Sequence, residues 1–327
     1  MSAKRARPGA FCCDEVNSPA VAEDHIKIGC ACAPWRGHHL GGRKMAPTAP
    51  YGGRTAGRHR RRDVSESASA VSRFRYHCQP MQANDPKGVC LVIGAGDGLG
   101  GAIARAFARD GHPVCITRRA RNLEQLEALA REIRDQGGIA HAFGVDARTE
   151  AEMIALFDDI EARIGPLEVV VFNIGANVRF GLVETTARVF TKVWEMACFA
   201  GFLAGREAAR VMVPRGHGSI LFTGATASLR GREGFAAFAA AKAGLRAIAQ
   251  SASRELAPRG IHVAHVVVDG AIDGVFTRSN RTDVETLLSD DRILKPDQIA
   301  ANYVWLHGQQ RSAWTHELDL RPWTEHW

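Results

Sequence analysis

The architecture that the rest of the chain follows is set by one run of residues, Val89-Cys90-Leu91-Val92-Ile93-Gly94-Ala95-Gly96-Asp97-Gly98-Leu99-Gly100. An apolar segment reaches a cluster of glycines and continues directly into a helical pattern, which is typical of a strand, a tight turn and a helix. Glycines let the backbone approach a pyrophosphate, and the first helical turn supplies N–H donors. Glycines also collect in ordinary surface turns, so it is the flanking strand and helix that favour a dinucleotide site, with Gly94, Gly98, Leu99 and Gly100 as its contacts.

Strand and helix patterns alternate from this point onward. Further strands are predicted at Val114–Thr117, Ala140–Val145, Leu167–Phe172, Ser219–Thr223, Ile261–Val268 and Thr315–Leu320. Further helices are predicted at Leu123–Gln136, Glu150–Ile164, Thr191–Met212, Ala236–Leu256 and Pro296–Leu306, whereas Val275–Leu294 has no regular period and is expected to cover the substrate. Strict alternation predicts an α/β fold, a doubly wound (Rossmann) parallel sheet with helices on both faces. Ligands of such sheets bind at the carboxyl ends of strands, where Gly94, Asp146, Asn173, Thr223 and Asp269 fall.

Residues 1–80 differ in composition from the predicted domain at residues 81–327. They hold 14 Lys/Arg against 6 Asp/Glu, whereas the rest of the chain holds 28 against 29. This basic leader is rich in Arg, Gly, Pro, Ala and Ser without a sustained period, so we expect it to be disordered. Three interpretations stay open: a basic address or anion-binding tail around Arg58–Arg62, an organelle transit peptide despite its acidic residues, and a native start at Met81.

Charge and cysteine usage restrict the partners. The near-neutral domain gives no basis for a nucleic-acid groove, and no apolar run approaches the ~18 residues that span a bilayer. The five leader cysteines lack the paired spacing of a zinc site, so no metal is expected. Cys90, Cys115 and Cys198 lie in apolar stretches of sequence, so we expect them to be small buried residues with free thiols. Free thiols are typical of a reducing compartment, which predicts a cytoplasmic protein.

From Val89 to about Gly274 the sequence resembles the short-chain dehydrogenase/reductase family. The three glycines of the turn match the family's glycine motif, and Asp146 matches the acidic residue that holds the adenine ring. The segment Phe172-Asn173-Ile174-Gly175 resembles the family's Asn-Asn-Ala-Gly. The resemblance implies a nicotinamide cofactor contacted by Asn173 and Gly175 among others, and a small carbonyl or alcohol substrate. It also implies a homo-oligomer, a dimer or tetramer, formed through the long helices.

The end of the second strand bears on the choice of cofactor. Relatives that prefer NAD close this strand with an acidic residue, whereas here it ends Thr117-Arg118-Arg119. Guanidinium groups suit a 2′-phosphate through charge-assisted, forked hydrogen bonds. We therefore expect NADP(H) to be favoured over NAD(H), with Arg118 and Arg119 as contacts, although a solvated arginine loop explains these residues almost as well.

The catalytic positions depart from the family pattern. The family's Tyr-x-x-x-Lys is here Phe238-Ala239-Ala240-Ala241-Lys242, so the lysine is present and the phenol is absent. Ala225 stands at the family's serine and Ala197 at its asparagine, with Cys198 adjacent; in the register of the related enoyl reductases the tyrosine becomes Phe235. The resemblance implies that Lys242 grips the nicotinamide ribose, unless it is an ordinary solvated helix lysine.

Two classes of function follow. In the first, the chain is an oxidoreductase whose proton comes from another group, and Asp269, as a partly buried carboxyl, is the candidate acid while Thr226 or Thr223 orients the carbonyl. The plainer interpretation of Asp269 is a turn residue that bonds its own backbone. In the second class, the chain binds the dinucleotide without turnover, as a sensor or subunit.

Overall fold

The computed structural model describes residues 87–325. The basic leader at residues 1–80 lies outside the described residues, so its predicted disorder and its three interpretations stay predictions. Seven strands form one sheet: β1 (Val89–Ile93), β2 (Val114–Arg118), β3 (Ala140–Gly144), β4 (Leu167–Phe172), β5 (Gly218–Thr223), β6 (Ile261–Val268) and β7 (Glu317–Leu320). Strands β1, β4 and β6 are buried along their whole length, as expected for continuous apolar runs at the centre of a parallel sheet.

All neighbouring strands run parallel, in the order β3-β2-β1-β4-β5-β6-β7. The order reverses at β1, where the chain leaves one half of the sheet and begins the other, and this is the point at which doubly wound sheets bind ligands. The predicted Rossmann architecture is therefore confirmed. The last strand begins at Glu317 rather than at the predicted Thr315.

Nine α-helices join and cover the strands in the described part of the chain: α1 (Leu99–Arg109), α2 (Leu123–Asp135), α3 (Glu150–Arg163), α4 (Ala187–Trp194), α5 (Ala200–Met212), α6 (Ala236–Leu256), α7 (Val275–Asn280), α8 (Val284–Ser289) and α9 (Pro296–His307). One face of the sheet packs against α1, α2 and α9. The other face packs against α3, α5 and α6. Two apolar cores thus hold the strand ends in fixed relative positions.

One predicted helix was placed incorrectly, and the segment predicted to have no regular period contains two short helices. The long helix predicted from Thr191 begins at Ala187, because the side chain of Thr186 caps it by accepting a hydrogen bond from the backbone N–H of Val189 at 3.2 Å. A π-helical segment, Glu195–Phe199, then separates α4 from α5. The aperiodic segment after Gly274 contains the six-residue helices α7 and α8, which are too short to show a helical period.

The buried state predicted for the three cysteines of the domain is confirmed. Cys90, Cys115 and Cys198 are buried free thiols. Among the described residues no helix has the length and apolar character needed to cross a membrane. The same residues contain no cluster of His, Cys, Asp or Glu that could hold a metal ion.

Candidate active site

The glycine turn between β1 and α1 is shaped by close backbone packing. Gly94 has a φ of +94°, which L-residues with a side chain rarely adopt. A Cβ atom at Gly100 would lie 2.4 Å from the carbonyl oxygen of Gly94, so only glycine allows α1 to start against the end of β1. Gly98 differs, because a Cβ atom there would meet nothing within 4 Å. Its side faces open space in front of the helix N-terminus.

A cleft runs along the carboxyl edge of the sheet at this turn. Its main cavity, of about 920 Å³, extends from the glycine turn past Asn173, Gly175 and Thr223 to Lys242 and the loop before α7. A smaller hollow of about 240 Å³ shares Gly94, Gly96, Arg118, Asn173 and Gly175 with it and continues to Asp146. The predicted contacts Gly98, Leu99 and Gly100 line the main cavity. The cleft is therefore elongated, with the glycine turn near its middle.

Arg118 and Arg119 lie on the side of the glycine turn that faces β2 and β3. The guanidinium carbon of Arg118 is 3.4 Å from the position a Cβ atom would take at Gly96, and its Nη1 donates to Oε1 of Gln125 at 3.0 Å. Arg119 lines the smaller hollow together with Asp146. Both arginines are partly exposed, and Arg118 is held over the turn by its bond to α2.

Asp146 lies where the sequence placed it, after β3, but its carboxylate is already paired. Nε of Arg148 donates to its Oδ1 at 2.9 Å and Nη2 donates to its Oδ2 at 2.5 Å. The hydrogen bond from Arg148 holds the pKa of Asp146 below its usual range. The contact between Asp146 and an adenine ring stays a prediction. The carboxylate would make this contact with an oxygen lone pair that accepts no hydrogen bond from Arg148.

Lys242 is buried at the wall of the main cavity, 3% exposed, so the interpretation of it as a solvated helix lysine is wrong. Its Nζ donates to the carbonyl oxygen of Thr223 at 2.8 Å and to that of Ile174 at 3.1 Å. An ammonium carries three protons, and Lys242 makes no third hydrogen bond with the residues that the structure describes. Burial lowers the pKa of Lys242 to about 8, although interaction with Cys198 opposes this shift.

Two of the three positions that lack the family's polar groups face the same cavity. Ala225 and Phe238 line it together with Lys242, which agrees with the register used to compare the sequence with the family. Ala197 is buried in the π-helical segment before α5, and Cys198 beside it is buried against α6, with Sγ 2.8 Å from where a Cβ atom of Gly244 would stand. Phe235 also lines the cavity. None of these side chains offers a phenol or a hydroxyl.

Asp269 does not line the cavity, contrary to the expectation of a partly buried carboxyl beside the substrate. It is fully buried, at 0% exposure, and it does not bond its own backbone as a simple turn residue would. Oγ1 of Thr226 donates to its Oδ1 at 2.6 Å, and Nη2 of Arg230 lies 3.4 Å from both carboxylate oxygens. Nη2 of Arg321 lies 3.8 Å from Oδ2. Because β6 and the chain after β7 enclose it, Asp269 can reach the cavity only through Thr226 or Arg230, which line it.

Thr223 is also engaged away from the cavity. Its hydroxyl shares a 2.7 Å hydrogen bond with the buried phenol of Tyr303 on α9. Burial raises the pKa of Tyr303. Thr223 therefore contributes its carbonyl to Lys242 and its hydroxyl to α9, and it does not present a free hydroxyl for a carbonyl substrate.

Two cavity-lining arginines were missed by the sequence reasoning. Arg230 and Arg232 lie in the loop between the vacant serine position and α6, and both line the main cavity. The signal that could have found them is the run Arg230-Gly231-Arg232, five to seven residues after Ala225. Two cations in a loop look like solvated residues until the fold shows that this loop forms the cavity wall.

The described residues fit a dinucleotide in this cleft. The turn has the close backbone packing and the open face at Gly98 that a pyrophosphate requires, in front of the N-terminus of an eleven-residue helix. Asn173 donates from Nδ2 to the carbonyl oxygen of Gly94 at 3.2 Å, which ties the end of β4 to the turn. The cleft then continues on both sides of the turn, as an elongated ligand needs.

Comparison with known proteins agrees with this geometry. The family model for short chain dehydrogenase matches residues 88–285. A 3-oxoacyl-[acyl-carrier-protein] reductase of Rattus norvegicus is 34% identical over 190 residues, which cover 58% of this chain and 78% of the relative. The chain therefore belongs to the short-chain dehydrogenase family.

Solved structures show the same relationship. A short-chain dehydrogenase from Rhodopseudomonas palustris is 48% identical, with a TM-score of 0.62 over 72% of this chain and 99% of that one. A variant of the actinorhodin polyketide ketoreductase with NADPH is 25% identical, with a TM-score of 0.65 over 72% of this chain and 96% of that one. The chain is thus an oxidoreductase by family, and its family binds nicotinamide dinucleotides.

Proposed function

We propose that the protein transfers hydride between NADP(H) and a carbonyl or alcohol substrate, with Lys242 as the proton donor in place of the absent phenol. The observation that carries the proposal is the position of Lys242. Its buried ammonium lies at the wall of the cavity beside Ala225 and Phe238, with two protons used by backbone carbonyls and the third not.

The ammonium of Lys242 can act as the general acid of the proposed reaction. NADPH, when bound, supplies a hydride to the carbonyl carbon. The carbonyl oxygen then takes a proton from Nζ of Lys242, which becomes a neutral amine and is reprotonated from solvent. A pKa of about 8 makes this ammonium a better acid near neutral pH than an ordinary lysine, because the useful pKa of a general acid lies near the working pH.

Asp269 and Thr226 are proposed as supporting residues. The Thr226 hydroxyl donates its proton to Asp269, so its oxygen lone pairs are left for the cavity side. The general-acid hypothesis for Asp269 thus becomes a positioning hypothesis, in which the carboxylate accepts the Thr226 proton and orients its hydroxyl, and Asp269→Asn and Thr226→Val are each expected to reduce kcat.

Preference for NADP(H) is supported by Arg118 and Arg119 beside the turn and by the absence of a carboxylate at the end of β2. The NADPH present in the ketoreductase neighbour is in keeping with this preference. Three buried thiols are in keeping with a reducing compartment such as the cytoplasm.

Self-association is supported by an aromatic surface on α4, α5 and the segment between them. Trp194 stacks on Phe199 with centroids 5.9 Å apart, and Phe199 stacks on Phe202 at 6.3 Å. Trp194 and Phe202 remain more than 40% exposed. A homo-oligomer through these helices would cover them, and light scattering of the wild type and of Trp194→Ala tests this.

The proposed reaction is tested with the full chain, NADPH and a panel of ketones and aldehydes, following NADPH oxidation. Lys242→Met is expected to lower kcat by about 100-fold or more, because general acid catalysis contributes about 10²–10⁴-fold. Lys192→Met, an exposed lysine on α4, is the matched control and is expected to leave turnover unchanged. Wild-type protein that binds NADPH and reduces nothing in the panel would instead favour the silent dinucleotide-binding role.

A further inference from the structure

The substrate half of the cavity is positively charged. Arg230, Arg232 and Arg281 all line the cavity, as do Ala225 and Phe238. The acidic residue in this half of the lining is Asp273, and its two carboxylate oxygens accept from Arg278 at 2.7 and 3.0 Å. The lining arginines are therefore not neutralised by Asp273.

The guanidinium of Arg230 is held in place by the buried carboxylate of Asp269. The carboxylate of Asp269 lies 3.4 Å from its Nη2, and Asp269 is itself held by Thr226 and by the guanidinium of Arg321 at 3.8 Å. Nε of Arg321 also donates to Oδ1 of Asp319 at 3.2 Å, so Asp269 acts mainly on Arg230, and this buried carboxylate keeps the guanidinium of Arg230 oriented. The side chain of Arg230 is still 34% exposed where it reaches the cavity.

The other two arginines are accessible to a ligand. Arg232 is exposed, and its guanidinium makes no hydrogen bond or ion pair with the residues that the structure describes. Arg281 is paired with Asp283 at 2.7 and 2.9 Å, but both side chains are about half exposed. Exposed pairs of this kind contribute little, because water screens the two charges, so a ligand anion can compete with Asp283.

Apolar side chains line the same cavity as these cations and Lys242. They are Phe235, Phe238, Val275 and Phe276. Val275 and Phe276 are each 67% exposed, an unusual state for large apolar side chains at a cavity mouth. A ligand that fills this space has an apolar body and one charged end.

We infer that the substrate is an oxo acid, a carbonyl compound with an apolar body whose carboxylate is bound by Arg230 and Arg232. This inference rests on the proposed function for the carbonyl, whereas the anion subsite can be tested by binding alone. Asp269 is then a positioning residue that holds Arg230 at the subsite. A guanidinium fork matches the planar carboxylate through two parallel hydrogen bonds.

The turnover experiment compares 4-oxo-4-phenylbutanoate with its methyl ester, using the full chain and NADPH. We expect the acid to have a KM about 10- to 100-fold lower than the ester, the loss typical of a hydrogen-bonded charge. Arg232→Gln should raise the KM of the acid about 10-fold and leave kcat and the KM of the ester unchanged. Arg232→Lys should restore part of the loss, and Arg254→Gln, on the exposed side of α6, should change nothing.

The binding experiment separates this inference from the proposed reaction. Calorimetry with 4-phenylbutanoate and 4-phenylbutanamide, with and without NADP⁺, requires no turnover. Tighter binding of the acid that Arg232→Gln abolishes supports the subsite even when no substrate is reduced. Inorganic phosphate that competes equally well with the acid would overturn the carboxylate assignment, and equal binding of the acid and the amide would overturn the anion subsite.

Discussion

Nζ of Lys242 lies 2.8 Å from the carbonyl oxygen of Thr223, which joins the first third of α6 to the carboxyl end of β5. A second carbonyl, that of Ile174 after β4, accepts from the same atom. The ammonium is therefore held at the edge of the sheet by backbone atoms, whose positions do not depend on the side chains at Ala225 and Phe238. This explains how the lysine keeps its place in a site that has lost the neighbouring phenol and hydroxyl.

The pH dependence of the reaction follows from the pKa of Lys242. Burial lowers this pKa to about 8, so the proton is held below pH 8 and lost above it. Reduction by NADPH is expected to slow as the pH rises through 8, whereas oxidation by NADP⁺ is expected to speed up, because the amine then accepts the proton. Initial rates from pH 6 to 10 check this, and a reduction rate that stays flat across pH 8 rules out Lys242 as the donor.

The lowered pKa of Lys242 also predicts that the stability of the fold changes with pH. The folded-state pKa lies below the unfolded-state value of about 10.4, so the unfolded chain binds more protons between these values and stability rises with pH there. We expect the free energy of unfolding of the wild type to gain about 2 kcal/mol relative to Lys242→Met between pH 7.5 and 9.5. Urea titrations of both proteins at the two pH values measure the difference.

Two glycines of the turn are expected to respond differently to the same substitution. Gly100→Ala places a Cβ atom 2.4 Å from the carbonyl oxygen of Gly94 and should destabilise the fold by about 1–3 kcal/mol. Gly98→Ala meets no atom within 4 Å and should keep the melting temperature of the wild type while weakening NADPH binding. Thermal unfolding and calorimetry on both variants provide the comparison. Unchanged NADPH binding by Gly98→Ala would show that the open face of the turn does not receive the phosphates.

Arg118 and Arg119 are expected to discriminate between the two cofactors. Replacing both by Ala removes charge-assisted hydrogen bonds to a 2′-phosphate, each of about 1.5–3 kcal/mol. The Kd of NADPH should therefore rise at least 10-fold and that of NADH should change little. Arg121→Ala, in the same exposed loop and outside both cavities, is the control. Equal losses for both cofactors would assign these arginines to the fold rather than to the phosphate.

Restoring the family's polar groups is expected to raise activity most at the pH values at which Lys242 has lost its proton. Phe238→Tyr and Ala225→Ser place a phenol and a hydroxyl at positions that already line the cavity with Lys242. The double variant should increase kcat above pH 8, where the lysine has lost its proton, and change it less at pH 7. Activity that appears only in the double variant would mean that the wild-type protein binds the dinucleotide without turnover.

The sequence by itself determined the alternating strands and helices, the glycine turn, and the register that puts Ala225, Phe238 and Lys242 in one site. These features depend on local periodicity, on backbone freedom at single glycines and on spacing along one helix, all of which are readable over short segments. That Gly98, Asn173 and Gly175 line one cleft was predictable for the same reason.

Only the tertiary structure decided the roles of Asp269, Arg230 and Thr223. Asp269 meets Arg230 from 39 residues upstream and Arg321 from near the end of the chain, so its burial follows from strand order and not from the turn it occupies. Thr223 is likewise engaged by Tyr303, 80 residues away. Charge pairs and hydrogen bonds across such separations depend on which strand ends become neighbours, and no local pattern encodes that.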